Sequence, residues 1–157
     1  MTLIVETGAV VEGANSYIST ANFTTYATAR NYTLVSGAET LLIQAMDYLE
    51  SQDFLGLKYS YTQALQWPRT NVVIDNWWIP VTTIPQLLID AQCEIAMAID
   101  AGESPVASLT QNKSSVKVGE VEVSYSSNSP SVSMNRKIST KLNKLIRSGS
   151  AFRVTKA

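Results

Sequence analysis

The chain has 157 residues, enough for one domain with its own core, and its 12 basic and 13 acidic residues leave a net charge of −1. It contains no histidine and one cysteine, Cys93. Histidine-based triads and most zinc sites therefore lose their usual base and ligand, and an internal disulfide or a thiolate metal cluster is excluded.

In chain order, Thr2 to Val5 is a short β-prone run, and Gly8, Gly13 and Asn15 mark the turns after it. Ser19 suits the N-cap of a first helix in which Phe23, Tyr26, Ala27 and Arg30 recur at helical spacing, with Asn31 as terminator. A second helix is predicted over Ala38 to Ser51. Its stripe is Leu41, Leu42, Ala45, Tyr48 and Leu49, and Glu39, Gln44, Asp47 and Glu50 lie mostly around the other side. From Asp53 to Ile84 there is no sustained period. The glycine, prolines and aromatics there (Gly56, Pro68, Pro80, Tyr59, Tyr61, Trp67, Trp77, Trp78) read as packed irregular structure with a short helical turn at Thr62 to Leu65. Pro85 then opens a third helix to Ala101, with Leu88, Ala91, Ile95 and Ala98 in steps of three and four and Gly102 as stop.

Composition changes after this helix. Ser104 to Ser115 and Ser126 to Ser133 are serine-rich connectors, and between them Val116 to Tyr125 alternates as a β element whose phase slips at Gly119 and Glu120. A fourth, short amphipathic helix follows around Lys137 to Arg147, with Ile138, Leu142, Leu145 and Ile146 on one stripe beside Lys137, Lys141 and Lys144. The expected fold is mainly α: a small helical bundle over residues 1–103, then an extended C-terminal arm over 104–157 that carries a short β element and ends in the amphipathic helix. No apolar run approaches the ~20 residues that span a bilayer, and Met1 to Glu6 gives no sign of a secretory signal, so a soluble, cytosolically made chain is expected.

The charge is divided. From Met1 to Asn112 three cations (Arg30, Lys58, Arg69) face eleven acids, roughly minus eight in all, whereas the rest carries roughly plus seven. Chance distribution over a soluble surface is one reading. A basic arm laid on an acidic neighbour is the other, and it is favoured.

Three pieces occur in a telling order: Leu3-Ile4-Val5-Glu6-Thr7-Gly8 with Ala14-Asn15-Ser16-Tyr17, then Ala45-Met46-Asp47-Tyr48-Leu49, then Leu65-Gln66-Trp67-Pro68-Arg69 with Ile84-Pro85 opening a long helix. The set resembles a family of small tailed-phage proteins encoded among head genes, often labelled DnaT-like single-stranded DNA-binding proteins and similar in architecture to head-tail connector, or adaptor, proteins. The resemblance covers Thr2 to Gly102 and the segment Gly119 to Tyr125; the family pattern has glycine where this chain has Asn31. It implies a virion protein made in the bacterial cytoplasm, a homo-oligomeric ring of twelve copies at the portal–tail junction. Its implied partners are the portal protein above and a tail or tail-terminator protein below, with packaged DNA passing through the channel. Single-stranded DNA binding is the alternative. It needs a basic groove with exposed aromatics, and in the sequence the aromatics lie in the acidic part and the lysines in the tail.

Residue by residue, Trp67 is expected as a core plug between helices two and three, and Cys93 as a small buried residue. Arg69 is a candidate partner-binding residue that pairs with Glu50, Asp53 or a neighbour's carboxylate, or is an ordinary surface arginine. Trp77 and Trp78, if extended, face opposite ways, one into the core and Trp78 into an interface. The pairs Asp47/Glu50 and Asp90/Glu94 have metal-sharing spacing but read as solvated helix faces. For the fourth helix, docking of its stripe in a partner's groove comes first, packing on its own body second, and nucleic-acid or membrane contact third. No catalytic residue, cofactor or metal ligand is assigned, and a carboxylate-only hydrolase is the weakest reading.

Overall fold

The computed structural model describes residues 2–103 and 131–147. It is mainly helical with two small hairpins.

Helix α1, Thr20–Thr28, is capped by the Ser19 hydroxyl, which accepts from the Asn22 amide at 3.3 Å. Thr24, Thr25 and Thr28 turn their hydroxyls back onto carbonyls four residues earlier, so this helix buries a narrow stripe, Phe23 and Ala27. It stops at Asn31, which adopts φ 56°, the left-handed conformation that asparagine tolerates and glycine favours. Helix α2, Ala38–Glu50, buries Leu41, Leu42, Ala45, Met46 and Leu49, as its periodicity predicts. Helix α3, Gln86–Asp100, starts behind Pro85 and is the hub, with every residue from Ala91 to Ala98 buried. It packs most extensively on α2 and on α4, Ser131–Leu142, and also meets α1.

The amino-terminal loop is wired into this core. A parallel bridge joins Val5 to Ser16, the trace left by the predicted β run. The buried Glu6 carboxylate accepts from the amides of Gly8 (2.8 Å), Val10 (3.1 Å) and Val11 (2.8 Å). From α3, the buried Gln92 side chain accepts from the Tyr17 amide at 3.0 Å and donates to Ser16 Oγ at 2.8 Å and to the Leu42 carbonyl at 3.2 Å. One amide group thereby ties the loop, α2 and α3 together, with all its partners far away in sequence. Gly8 has φ +98° and lies so close to Thr82 that a Cβ would run into the Thr82 carbonyl oxygen. Gly8→Ala is expected to cost on the order of 1–3 kcal/mol, read as a lowered urea midpoint; an unchanged midpoint would show that the 80–84 loop yields freely.

Between α2 and α3 the irregular stretch forms two antiparallel hairpins. Strands β1 (Leu57–Lys58) and β2 (Arg69–Thr70) pair Leu57 with Thr70, and β3 (Val73–Ile74) and β4 (Trp77–Trp78) pair Val73 with Trp78. The expected helical turn at Thr62 to Leu65 is absent; turns and bends fill that loop, and the Gln63 side chain holds it by donating to the Leu65 and Pro68 carbonyls. The second hairpin turns on Asp75 (φ 52°) and Asn76 (φ 67°), the two positive-φ positions of a type I′ turn. Trp67, preceding Pro68 across a cis peptide, is fully buried and meets Phe54 edge to face at 6.3 Å between ring centroids. It is the predicted core plug.

The fourth helix departs most from expectation. It begins at Ser131, inside the predicted connector, and ends at Leu142 instead of running to Arg147. Its stripe does not face outward for a partner: Ile138, Leu142 and Leu145 are buried in the same core as α2 and α3. After the helix the chain is tied to the α2–β1 connection, with the Leu55 amide donating to the Leu145 carbonyl and the Arg147 amide to the Asp53 carbonyl, both at 2.8 Å. The division at 103/104 therefore separates two stretches of chain but not two cores. The physical reason is α3, which is buried on every side from Ala91 to Ala98, Gln92 and Glu94 included, and needs more cover than α1 and α2 provide. The predicted β element at Val116 to Tyr125 lies outside the described residues.

Candidate interaction surface

The buried ionisable groups of this protein are occupied in holding elements together. Glu94 is 3% exposed, not on a solvated face. Its carboxylate accepts from Tyr26 Oη at 2.9 Å and Lys141 Nζ at 3.2 Å, with Arg30 Nε at 3.7 Å. That cluster clamps α1, α3 and α4. Burial first, then the hydrogen bond and charge of Glu94, pushes the Tyr26 phenol far above its ordinary range. Tyr17 is pushed up likewise by burial and by the charge of Glu50. Its hydroxyl donates to Glu50 at 3.2 Å and accepts from the Trp67 amide at 3.1 Å, while Glu50 also accepts from the Gln66 amide at 3.0 Å. Tyr17, Trp67 and the Ser16-Gln92 contact thus join the first and third motif pieces, through Leu42 and Glu50 on either side of the second, in one polar network. Burial pushes the Cys93 thiol up to about 12, away from the thiolate range, in keeping with a small core residue. Among the described residues no group of three or more His, Cys, Asp or Glu could hold a metal ion, and no helix is long and apolar enough to cross a membrane.

The residues predicted to bind partners are scattered by the fold. Arg69 is buried, at 7% exposure, and among the described residues it pairs with no carboxylate. Its guanidinium donates to the carbonyls of Leu55 (2.6 Å), Gly56 (3.0 Å), Phe54 (3.2 Å) and Gln66 (3.2 Å), and to Gln66 Oε1 (2.9 Å). It is a strut under the 54–56 loop, a place where the planar fork of arginine suits several divergent acceptors. Ile138, Leu142 and Leu145 are core, and Lys141 is committed to Glu94. Lys137 is exposed, and Lys144 pairs with Asp75 at 2.7 Å with both side chains largely in water.

Trp78 remains on the surface as expected, but Trp77 joins it there, at 71% and 77% exposure. Adjacent strand residues do face opposite ways. Here the β3–β4 hairpin is rooted through Ile74, which is buried opposite Trp77, while both β4 indoles are left in water. A pair of adjacent tryptophans this open on a rigid I′ hairpin is the most unusual feature of the described surface, because large aromatics are seldom left in water without a partner. Leu57, Tyr59, Tyr61 and Val73 are also exposed on the two hairpins and the loop between them. At the hairpin tip Lys144 reaches Asp75, and Arg147 donates to the Gly56 carbonyl at 3.2 Å. Lys144 thus lies at the turn that precedes the exposed tryptophans and Arg147 beside the start of β1, a proximity invisible in the linear charge map. Elsewhere, an open groove of about 570 Å³ runs along α1 to the start of α3, walled by Val5, Ile18, Tyr26 and Ile89 with Asn22 and Gln86 on its rim.

Fold and surface together define a small helical scaffold that presents an aromatic hairpin, with its ionisable side chains used mainly as clamps. A family model described as "Putative DnaT-like ssDNA binding protein" matches residues 1–157. The chain belongs to that family. No curated protein and no solved structure matches it.

Proposed function

We propose that this protein is a non-enzymatic structural subunit that assembles with copies of itself into a ring, as a tailed-phage head-tail adaptor placed between portal and tail. The observation that carries the reading is the exposed Trp77-Trp78 pair on a pre-formed hairpin. Tryptophan is enriched at interface centres, and a rigid turn loses little conformational entropy on docking. A body with eleven acids against three cations up to Asn112 suits protein contact better than phosphate contact. The resemblance to adaptor proteins supplies the ring, the portal and tail partners, the virion location and the DNA-filled channel. The buried stripe of α4 moves the candidate contact from the arm to the hairpin.

A second reading follows the family description. Stacking on Trp77, Trp78 and Tyr59 beside Lys144 and Arg147 would suit single-stranded DNA, and the hairpin's closeness to the tail cations favours it more than the linear sequence did. Light scattering of the purified chain, paired with oligonucleotide titration at physiological salt, separates the two. A closed oligomer lost in W77A/W78A, with DNA binding weaker than micromolar, is expected. A monomer that binds oligonucleotide at micromolar or tighter, through those tryptophans, overturns the adaptor reading.

A further inference from the structure

We propose that the receptor for the Trp77-Trp78 hairpin is the α1–α3 groove of a second copy of this chain, so that the subunits join head to tail; this rests on the assembly reading above. Knob and groove are different surfaces of one chain, which is the requirement of a heterologous contact that repeats until it closes.

Their characters match. Among the described residues none that lines the groove of about 570 Å³ is charged, the nearby Arg30 guanidinium being stacked on Tyr26 beside Glu94, and the hairpin's one charge, Asp75, is neutralised by Lys144 at 2.7 Å. An apolar knob thus meets an uncharged slot, and no ion has to be stripped of water unpaired. Each buried indole also needs a partner for its N–H. The rim offers one, because Gln86 uses its Nε2 on Asp90 at 2.8 Å and leaves its Oε1 able to accept.

Size points to a ring and not an isolated pair. Two indoles bury roughly 150–250 Å² each, roughly 300–500 Å² per side, against about 800 Å² per partner in a stable complex of ordinary size. One such contact is weak. In a closed ring every subunit makes it twice, and the last contact forms without further loss of translational freedom.

The test uses full-length chains with one face disabled at a time. W77A/W78A removes the knob and keeps the groove, whereas Thr25→Trp fills the groove from an exposed position on α1 and keeps the knob. All changes fall on exposed residues, so both variants should melt like the parent. Each alone should be monomeric by light scattering, and an equimolar mixture should give a capped 1:1 heterodimer that is populated only at high concentration, since one intact knob meets one intact groove through a single weak contact. If Thr25→Trp assembles like the parent while W77A/W78A does not, the groove is not the receptor and only the assembly reading survives. If the mixture stays monomeric at concentrations well above those at which the parent assembles, the head-to-tail pairing is wrong. A parent that is monomeric at every concentration removes both.

Discussion

Changing Leu142 and Leu145 together to aspartate is expected to abolish the cooperative melting of the whole protein, not merely to detach an arm. Both leucines are at most 3% exposed and sit in the core with α2 and α3. Deleting a buried leucine side chain costs about 2–5 kcal/mol, and a carboxylate left in the cavity adds its desolvation. Two such sites reach a large part of the roughly 5–15 kcal/mol that holds a domain of this size together. Truncation after residue 103 should act the same way, because it strips the α4 cover from α3. Thermal melts followed by circular dichroism give the answer. A truncated chain that melts as sharply as the parent would mean that α4 is a peripheral addition to a self-sufficient bundle.

The second large effect is expected at Arg69. Arg69→Ala should lower stability by on the order of 3–5 kcal/mol, because several loop carbonyls lose their donor in a site closed to water. Arg69→Lys should recover less than half of that. A single ammonium cannot span the acceptors on Phe54, Leu55, Gly56 and Gln66 that the guanidinium fork reaches at 2.6 to 3.2 Å. Urea unfolding of the three proteins measures it. A loss under about 1 kcal/mol for Arg69→Ala would return the residue to the surface role that its sequence context suggested.

Legibility in the sequence followed the range of the interactions. Helices α1 to α3 were legible within a residue or two, since caps such as Ser19 and Pro85 and the stripes between them are local signals. Trp67 and Cys93 were legible as core residues by size and polarity. The α4 stripe was legible as a stripe, but its partner was not, because α3 lies some forty residues away and no periodicity says which apolar face meets which. Glu94 was misread for the same reason. Its spacing from Asp90 resembles an ordinary charged helix face, and what buries it is Lys141, 47 positions on, together with Tyr26, 68 positions back. The hairpins escaped because strands of two residues carry no alternation. Asp75-Asn76 between Ile74 and Trp77 was the one local signal that marked the turn. Trp77 is expected in the core because a strand has one dry side; that side is filled here by Ile74 of the paired strand, and Trp77 opposite it stays in water.

The Gln92 clamp also has a kinetic meaning. Its three partners lie 75, 76 and 50 positions away, and α4 reaches α3 across a comparable gap. Helices α1 to α3 can nucleate locally in about a microsecond. The Gln92 clamp cannot be satisfied until the amino-terminal loop has arrived, nor the Glu94 cluster until the tail has, so loops of many tens of residues must close before the core is sealed. Refolding in a stopped-flow mixer should accordingly be slower than helix content alone suggests, nearer to mixed α/β domains than to simple bundles. Nascent chains would then keep their α3 faces open for longer, a window in which one chain's tail could cover another chain's hub before its own.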